Sequence, residues 1–196
     1  MLPSISIQSN SMAYPGQNIR NPATGEYIEF VNTSKETDGA YTSFHILQKA
    51  GGFKPVMHIH TKQDETFHVL EGELTCILDR KKQIIRKGGC IVLPKGIPHT
   101  HFNEGENDLL LLQTVSPSLD FDTALENLIG LSAEGQLPNG EPKFLQVMLW
   151  LRNFQSKTYL AKVPVPVQDA LAFLLARPAR WLGYKAVYTR FSGYDR

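Results

Sequence analysis

The densest chemistry in this chain lies in HIHTKQDETFHVLEGEL, from His58 to Leu74, where three histidines and four carboxylates fall within seventeen residues. Successive strand residues point to opposite faces, so residues two apart share a face with Cα atoms roughly 6–7 Å apart. On a strand, His58 and His60 aim two imidazoles at one point, although a solvent-facing histidine pair would have the same spacing. Glu65 lies at an odd offset from His60 and would face away on one continuous strand. The intervening TKQD has turn composition, so the chain can bend there and return Glu65 to the histidine face from the next strand. Imidazole and carboxylate donors gathered in this way suit a divalent transition metal.

A second group lies downstream in GGCIVLPKGIPHTHFN. Pro94, Gly96 and Pro98 make a rigid turn that delivers His99 to the start of a strand, with His101 and Asn103 on its face. His101 then points into the same cavity as His99. There it is either a catalytic, proton-transferring residue or a packed histidine hydrogen-bonded inside the barrel. Asn103 fits a structural turn role better than chemistry. His68 is out of phase with Glu65, Phe67 and Val69 and should face outward, while His45 has no decisive face. Cys76 and Cys90 read as small buried hydrophobes, and Phe67, Val69, Ile77 and Phe102 as core.

The elements that must position these residues divide the chain in three. Residues 1–25 are rich in Ser, Asn, Pro and Gly and read as an irregular lead-in. From 26 to 117, about eight short β-type runs alternate with turn chemistry, RKKQ among the turns, which predicts an antiparallel sandwich or small barrel. From 118 to 196 the spacing becomes helical. Apolar residues at 121, 125, 128, 129 and 131 predict one helix, and residues 143–155 a second. A third runs over 166–177, with Pro166 in its first turn and Pro178 stopping it.

Composition narrows the function classes. A net charge of +1 gives no electrostatic signature for nucleic acid or an anionic membrane. Two cysteines without CxxC spacing are compatible with a reducing compartment. The N-terminus lacks a basic region followed by an apolar run, and no apolar stretch is long enough to span a bilayer. A cytoplasmic protein is expected. Residues 143–196 hold nine Lys and Arg against two Asp, and 118–142 hold five carboxylates with no Lys or Arg. The dispersed basic residues favour packing of oppositely charged helices on the barrel over binding to a membrane or nucleic acid.

Two stretches carry a resemblance. Gly52…His58-x-His60-x4-Glu65-x6-Gly72 is similar to the first signature of the cupin superfamily, and Gly88-x5-Pro94-x-Gly96-x2-His99-x3-Asn103 to its second. Fifteen residues separate Gly72 from Gly88, a spacing that resembles compact single-domain cupins, and the resemblance covers about 40–115. It implies a mainly β fold, the double-stranded β-helix or jelly-roll barrel, here with a C-terminal α-helical appendage. It also implies a metal held by His58, His60, Glu65 and His99, and a homodimer.

Three neutral imidazoles and one carboxylate suit Fe, Mn, Ni, Zn or Cu in the divalent state and leave an octahedral ion two open positions. Open positions admit water, dioxygen or a chelating substrate. The leading expectation is a non-haem, metal-dependent oxidoreductase of dioxygenase type acting on a small molecule in the barrel, with Glu65 a ligand and, if displaced, a base. A metal-dependent isomerase, decarboxylase or lyase is a second reading, and a non-catalytic ligand-binding or sensor module a third. The cupin scaffold hosts all three.

Overall fold

The computed structural model describes residues 13–137 and 140–191; residues 1–12 of the expected lead-in and 192–196 of the tail lie outside the described residues. Ten strands come first: β1 (Asn18–Arg20), β2 (Tyr27–Asn32), β3 (Thr42–Gln48), β4 (His58–His60), β5 (Asp64–Glu71), β6 (Glu73–Leu78), β7 (Lys81–Arg86), β8 (Cys90–Leu93), β9 (His99–Phe102) and β10 (Leu109–Ser116). Helices α1 (Phe121–Ala133) and α2 (Phe144–Asn153) follow, then β11 (Thr158–Leu160) and α3 (Val165–Trp181). The strands form two antiparallel sheets, ordered β1-β2-β3-β10-β5-β8 and β11-β4-β9-β6-β7. This is the mainly β, jelly-roll architecture with a helical C-terminal region.

The period-two pattern explains the layers. On β10, Leu109, Leu111, Gln113 and Val115 are buried and alternate with more exposed residues, and on β5 Glu65, Phe67 and Val69 do the same. Their inward side chains meet Phe30, Phe44 and Leu74 in one apolar core between the sheets. Burying each such Leu or Phe stabilises the fold by about 1.5–3 kcal/mol. The lysine-rich β7 is almost wholly exposed at a sheet edge, where charge discourages pairing with another chain. Gly72, between β5 and β6, has φ +78°, and a Cβ there would lie 2.5 Å from the Asp108 carbonyl oxygen, so no larger residue fits the turn.

The structure corrects several local expectations. RKKQ is not a turn: Lys81–Arg86 is β7, and the reversal is the two-residue loop Asp79–Arg80, both with positive φ, as a tight hairpin turn requires. The stretch expected to be irregular contains β1, paired with β2. Ile77 is only half-buried, because Leu74 and Cys76 occupy the core of β6. Cys90 is exposed at the outer strand β8, unlike the buried Cys76.

Pro178 does not stop α3, which continues to Trp181. The continuation buries Ala179 completely against Leu149 and Ala176. The helix ends instead where the Gly183 and Tyr184 N–H groups donate to the Arg180 and Ala179 carbonyls, a Schellman closure.

The helices attach to both layers. Ile129 of α1 enters the barrel core, and Phe121 stacks on Phe44 with ring centroids 5.9 Å apart. The carboxylate of Asp120 accepts the backbone N–H groups of Gln155 and Ser156, and a two-point ion pair joins Arg190 to Glu134. The outward face of α3 leaves Phe173, Leu174, Trp181 and Leu182 exposed. Among the described residues, no helix is long and apolar enough to cross a membrane.

Leu111 is fully buried at the centre of β10, between β3 and β5. Leu111→Ala is expected to cost about 2–5 kcal/mol of unfolding free energy, measured by urea denaturation.

Candidate metal centre

The bend at residues 61–63 carries the chain from one sheet to the other, so β4 and β5 face each other across the barrel. The amide of Gln63 anchors the bend by donating to the carbonyls of Pro117 and Ser118 at 2.9 and 3.0 Å. The turn before β9 is tied to the same region, with Gly96 N–H donating to His60 O and Lys95 N–H to the Asp64 carboxylate, each at 2.8 Å. Gly96 has φ +79°, which a side chain would strain. β9 lies beside β4, and His58 pairs in register with His99.

These constraints bring one ligand atom from each of His58, His60, Glu65 and His99 within 4.8 Å of one another. The ring centroid of His58 lies 5.1 Å from that of His60 and 4.6 Å from that of His99. His60, Glu65 and His99 are buried, and His58 is half-buried with its ring against the other two.

The hydrogen bonds orient the donors. His58 Nδ1 lies 2.8 Å from Val56 O, and His99 Nδ1 lies 2.9 Å from Ile97 O. A carbonyl only accepts, so Nδ1 carries a proton in both rings, and in the neutral ring Nε2 then presents a lone pair. Gln113 Nε2 donates to Glu65 Oε1 at 2.8 Å. Glu65 Oε2 lies 3.0 Å from His99 Nε2, and neither atom has any other hydrogen-bond partner. With a neutral ring both atoms are acceptors, and a buried pair of acceptors that close is costly unless a proton or a metal cation lies between them. Three imidazoles and one carboxylate are a set that divalent transition metals accept, so the residues present fit such an ion.

The protonation states agree with that fit. Burial, then the neighbouring His60, lowers the pKa of His58 from 6.5 to about 3. Burial also lowers His60, against the opposing pull of Glu65. For Glu65 burial acts upward, but His60, His99 and the other imidazoles hold the carboxyl well below its usual range. At neutral pH His58 and His60 are therefore neutral and Glu65 ionised, the forms that bind metal.

Residues 44–115 match the model of the cupin domain. That segment of the chain is a cupin domain. A curated relative from Hypocrea virens, named "Probable oxidoreductase virH", is 28% identical over 197 residues, covering 92% of this chain and 89% of its own length. An uncharacterized protein from Aquifex aeolicus is 37% identical over 65 residues, 33% of this chain and 53% of its own length. Among solved structures, that of a predicted oxalate decarboxylase from Thermotoga maritima covers 55% of this chain and 96% of its own, with 19% identity and a TM-score of 0.46.

Other residues singled out in the sequence fall elsewhere. His101 is buried beside Phe67, with ring centroids 4.4 Å apart, and does not belong to the four-residue cluster. Its Nδ1 has no hydrogen-bond partner, and burial lowers its pKa against the opposing charges of Glu65 and Glu26. Asn103 braces a loop, donating to the carbonyls of Gln48 and Asn107 and accepting from Gly105 N–H. His68 is exposed, and His45 Nδ1 lies 3.3 Å from Glu29 Oε2 of the adjacent strand. A surface groove of about 540 Å³ is lined by Arg152, Phe173, Leu174, Arg177 and Arg180 of the helical layer and does not include the cluster.

Sequence reasoning missed two partners of the cluster. Gln113 had a legible signal, a lone amide in the apolar run LLLLQTV. Thr158, whose Oγ1 is 3.5 Å from His60 Nδ1, had none, because it sits among helical sequence.

Acid should destabilise the metal-free barrel. A histidine whose folded pKa is depressed contributes stability that is fully present above 6.5, its unfolded value, and is lost as pH falls towards the folded value of about 3. Glu65, also depressed, adds loss of the same sign below its ordinary carboxylate range. The thermal midpoint of chelator-treated protein should therefore fall steadily from pH 7 to pH 4. A midpoint unchanged over that range would contradict the assignment of neutral imidazoles beside an ionised carboxylate.

Proposed function

We propose that this cupin is a metal-dependent oxidoreductase of dioxygenase type, acting on a small molecule within the barrel. The observation that carries the reading is the buried convergence of three imidazoles and one carboxylate, with Glu65 Oε2 and His99 Nε2 facing each other and having no other partner. The Hypocrea virens relative, named "Probable oxidoreductase virH" and aligned over 92% of this chain, supports the same direction.

His58, His60, Glu65 and His99 would hold a divalent ion, Fe, Mn, Ni, Zn or Cu. A redox-active ion bound there supplies the activation of dioxygen and of a chelating substrate. The chain's own residues do the rest. Gln113 fixes one oxygen of Glu65 and leaves the other free to face the imidazoles. Glu65 serves as a ligand and, when displaced, as a base. His101 Nδ1, buried and unpartnered, is positioned to take or give a proton within the barrel. The apolar wall, with Phe67 and Val69 on the strand that carries Glu65, keeps bulk water from the centre.

The test is oxygen uptake by protein reconstituted with Fe, Mn or Zn against a panel of small diols and diketones. Uptake with Fe or Mn is expected, none with Zn, and loss of at least a hundredfold in Glu65→Ala, with metal content measured in parallel. Anaerobic turnover supported equally by Zn would replace this reading with a Lewis-acid isomerase, decarboxylase or lyase. A co-purifying ligand recovered unchanged under every metal would replace it with a binding module.

The homodimer that the resemblance implies has a surface suited to it in the exposed face of α3, where Phe173 is 67% and Trp181 84% exposed. Light scattering coupled to gel filtration should give a mass of twice 22.0 kDa. Phe173→Glu should shift it towards the single chain.

A further inference from the structure

We infer that the C-terminal extension is part of the candidate metal centre: β11 holds the strand carrying His58 and His60, and Thr158 and Gln168 act as positioning residues. The inference rests on the reading of the cluster as a metal site.

The argument begins with how little else holds β4. This strand is three residues long and pairs with β9 at one register position, His58 with His99. It pairs with β11 at three: Thr158 with His60, Tyr159 with Ile59, and Leu160 with His58. Ala161 N–H extends the ladder by donating to Met57 O at 3.0 Å. Without β11, a strand bearing two of the four donors would be an edge strand with half of its backbone groups unpaired, free to fray and to change register. A one-residue slip would turn both imidazoles to the opposite face.

β11 is itself the outermost strand of its sheet, and a buried side chain takes the place of the next strand. The Gln168 carboxamide accepts from Leu160 N–H at 3.0 Å and donates to the carbonyls of Leu160 and Val163 at 2.9 and 2.7 Å. One amide thus imitates a neighbouring peptide group. The next residue of α3, Asp169, accepts from Tyr159 Oη at 2.8 Å and pairs with Lys157 at 3.1 Å. Tyr159 is buried in a cluster with Met148, Leu151 and Ala172, which locks β11 to both helices. α2 and α3 are therefore fastened mechanically to the ligand strand.

Thr158 reaches the cluster directly. The Nδ1 atoms of His58 and His99 each face a backbone carbonyl of the barrel, whereas His60 Nδ1 lies 3.5 Å from the hydroxyl of Thr158. A hydroxyl that accepts the Nδ1 proton fixes the tautomer whose Nε2 lone pair faces Glu65, 3.6 Å away. The extension thereby supplies a third and longer contact to an imidazole Nδ1, beside the two carbonyl contacts of the barrel.

The experiment uses the full-length chain and Co(II), whose visible absorption reports the ligand field and whose titration gives a dissociation constant. Thr158→Val keeps the branched shape and removes the hydroxyl. It is expected to weaken Co(II) binding about ten- to a hundredfold and alter the spectrum, and Thr158→Ser should restore both. Gln168→Leu should weaken binding similarly and speed amide exchange at residues 57–60, with the exchange of β5 and β10 unchanged. Wild-type Co(II) affinity and spectrum in both Thr158→Val and Gln168→Leu would overturn the inference and leave the metal-centre reading intact. Failure of the wild-type chain to bind Co(II) or any other divalent transition metal would overturn both.

Discussion

A buried carboxylate oxygen and a buried imidazole nitrogen face each other at 3.0 Å within this barrel, and neither has another partner. Such an arrangement opposes folding unless positive charge occupies the space between them, so the surrounding structure must hold it in place. The backbone carbonyls of Val56 and Ile97 orient two imidazoles, and the amide of Gln113 holds the carboxylate from behind. The core beyond them supplies rigidity. Phe67 and Val69 follow Glu65 on the same face of β5 and are almost completely buried, which leaves that strand little freedom to rotate.

The two-sheet architecture solves a geometric problem that one strand cannot. Donors on a single face recur every second residue, so a compact cluster of four needs contributions from more than one direction. Here β4 and β9 approach from one sheet and β5 from the other, while the bend at residues 61–63 joins the two. Each turn is pinned independently, by Gln63 on one side and by Gly96 and Lys95 on the other. Because several anchors fix the same four side chains, the cluster depends on no single loop.

The helical region serves this architecture in two ways. α1 closes one side of the barrel by placing Ile129 in its core and Phe121 on Phe44. Its acidic residues are largely consumed in structure. Asp122 is buried, accepting from Ser34 N–H and Thr42 Oγ1, and burial raises its pKa. Glu126 accepts from Gln17, and Asp120 from the backbone after α2. The carboxylates of this region thus go largely to neutral partners, while an ion pair of Arg190 with Glu134 joins its acidic and basic halves. α2 and α3 act on the other sheet through β11, the strand beside the histidines.

Much of this was legible along the polymer because local rules govern it. Alternation on β5 fixed which of its residues face inward, and the odd offset of Glu65 required a bend. The same alternation correctly set His68 outside and Phe67 inside. Other features depend on contacts far apart in sequence. Pro178 reads as a helix stop, yet burial of Ala179 against α2 carries the helix past it. Cys90 reads as buried, but its strand lies at the outer edge of its sheet. Residues 158–160 carry no strand signal of their own, since three residues are too few to show a period. Spacing determined that four donors were able to meet, because it fixes faces and turns. Only the tertiary structure decided what stands behind each donor, because hydrogen-bond partners 98 residues apart, such as His60 and Thr158, share no local pattern.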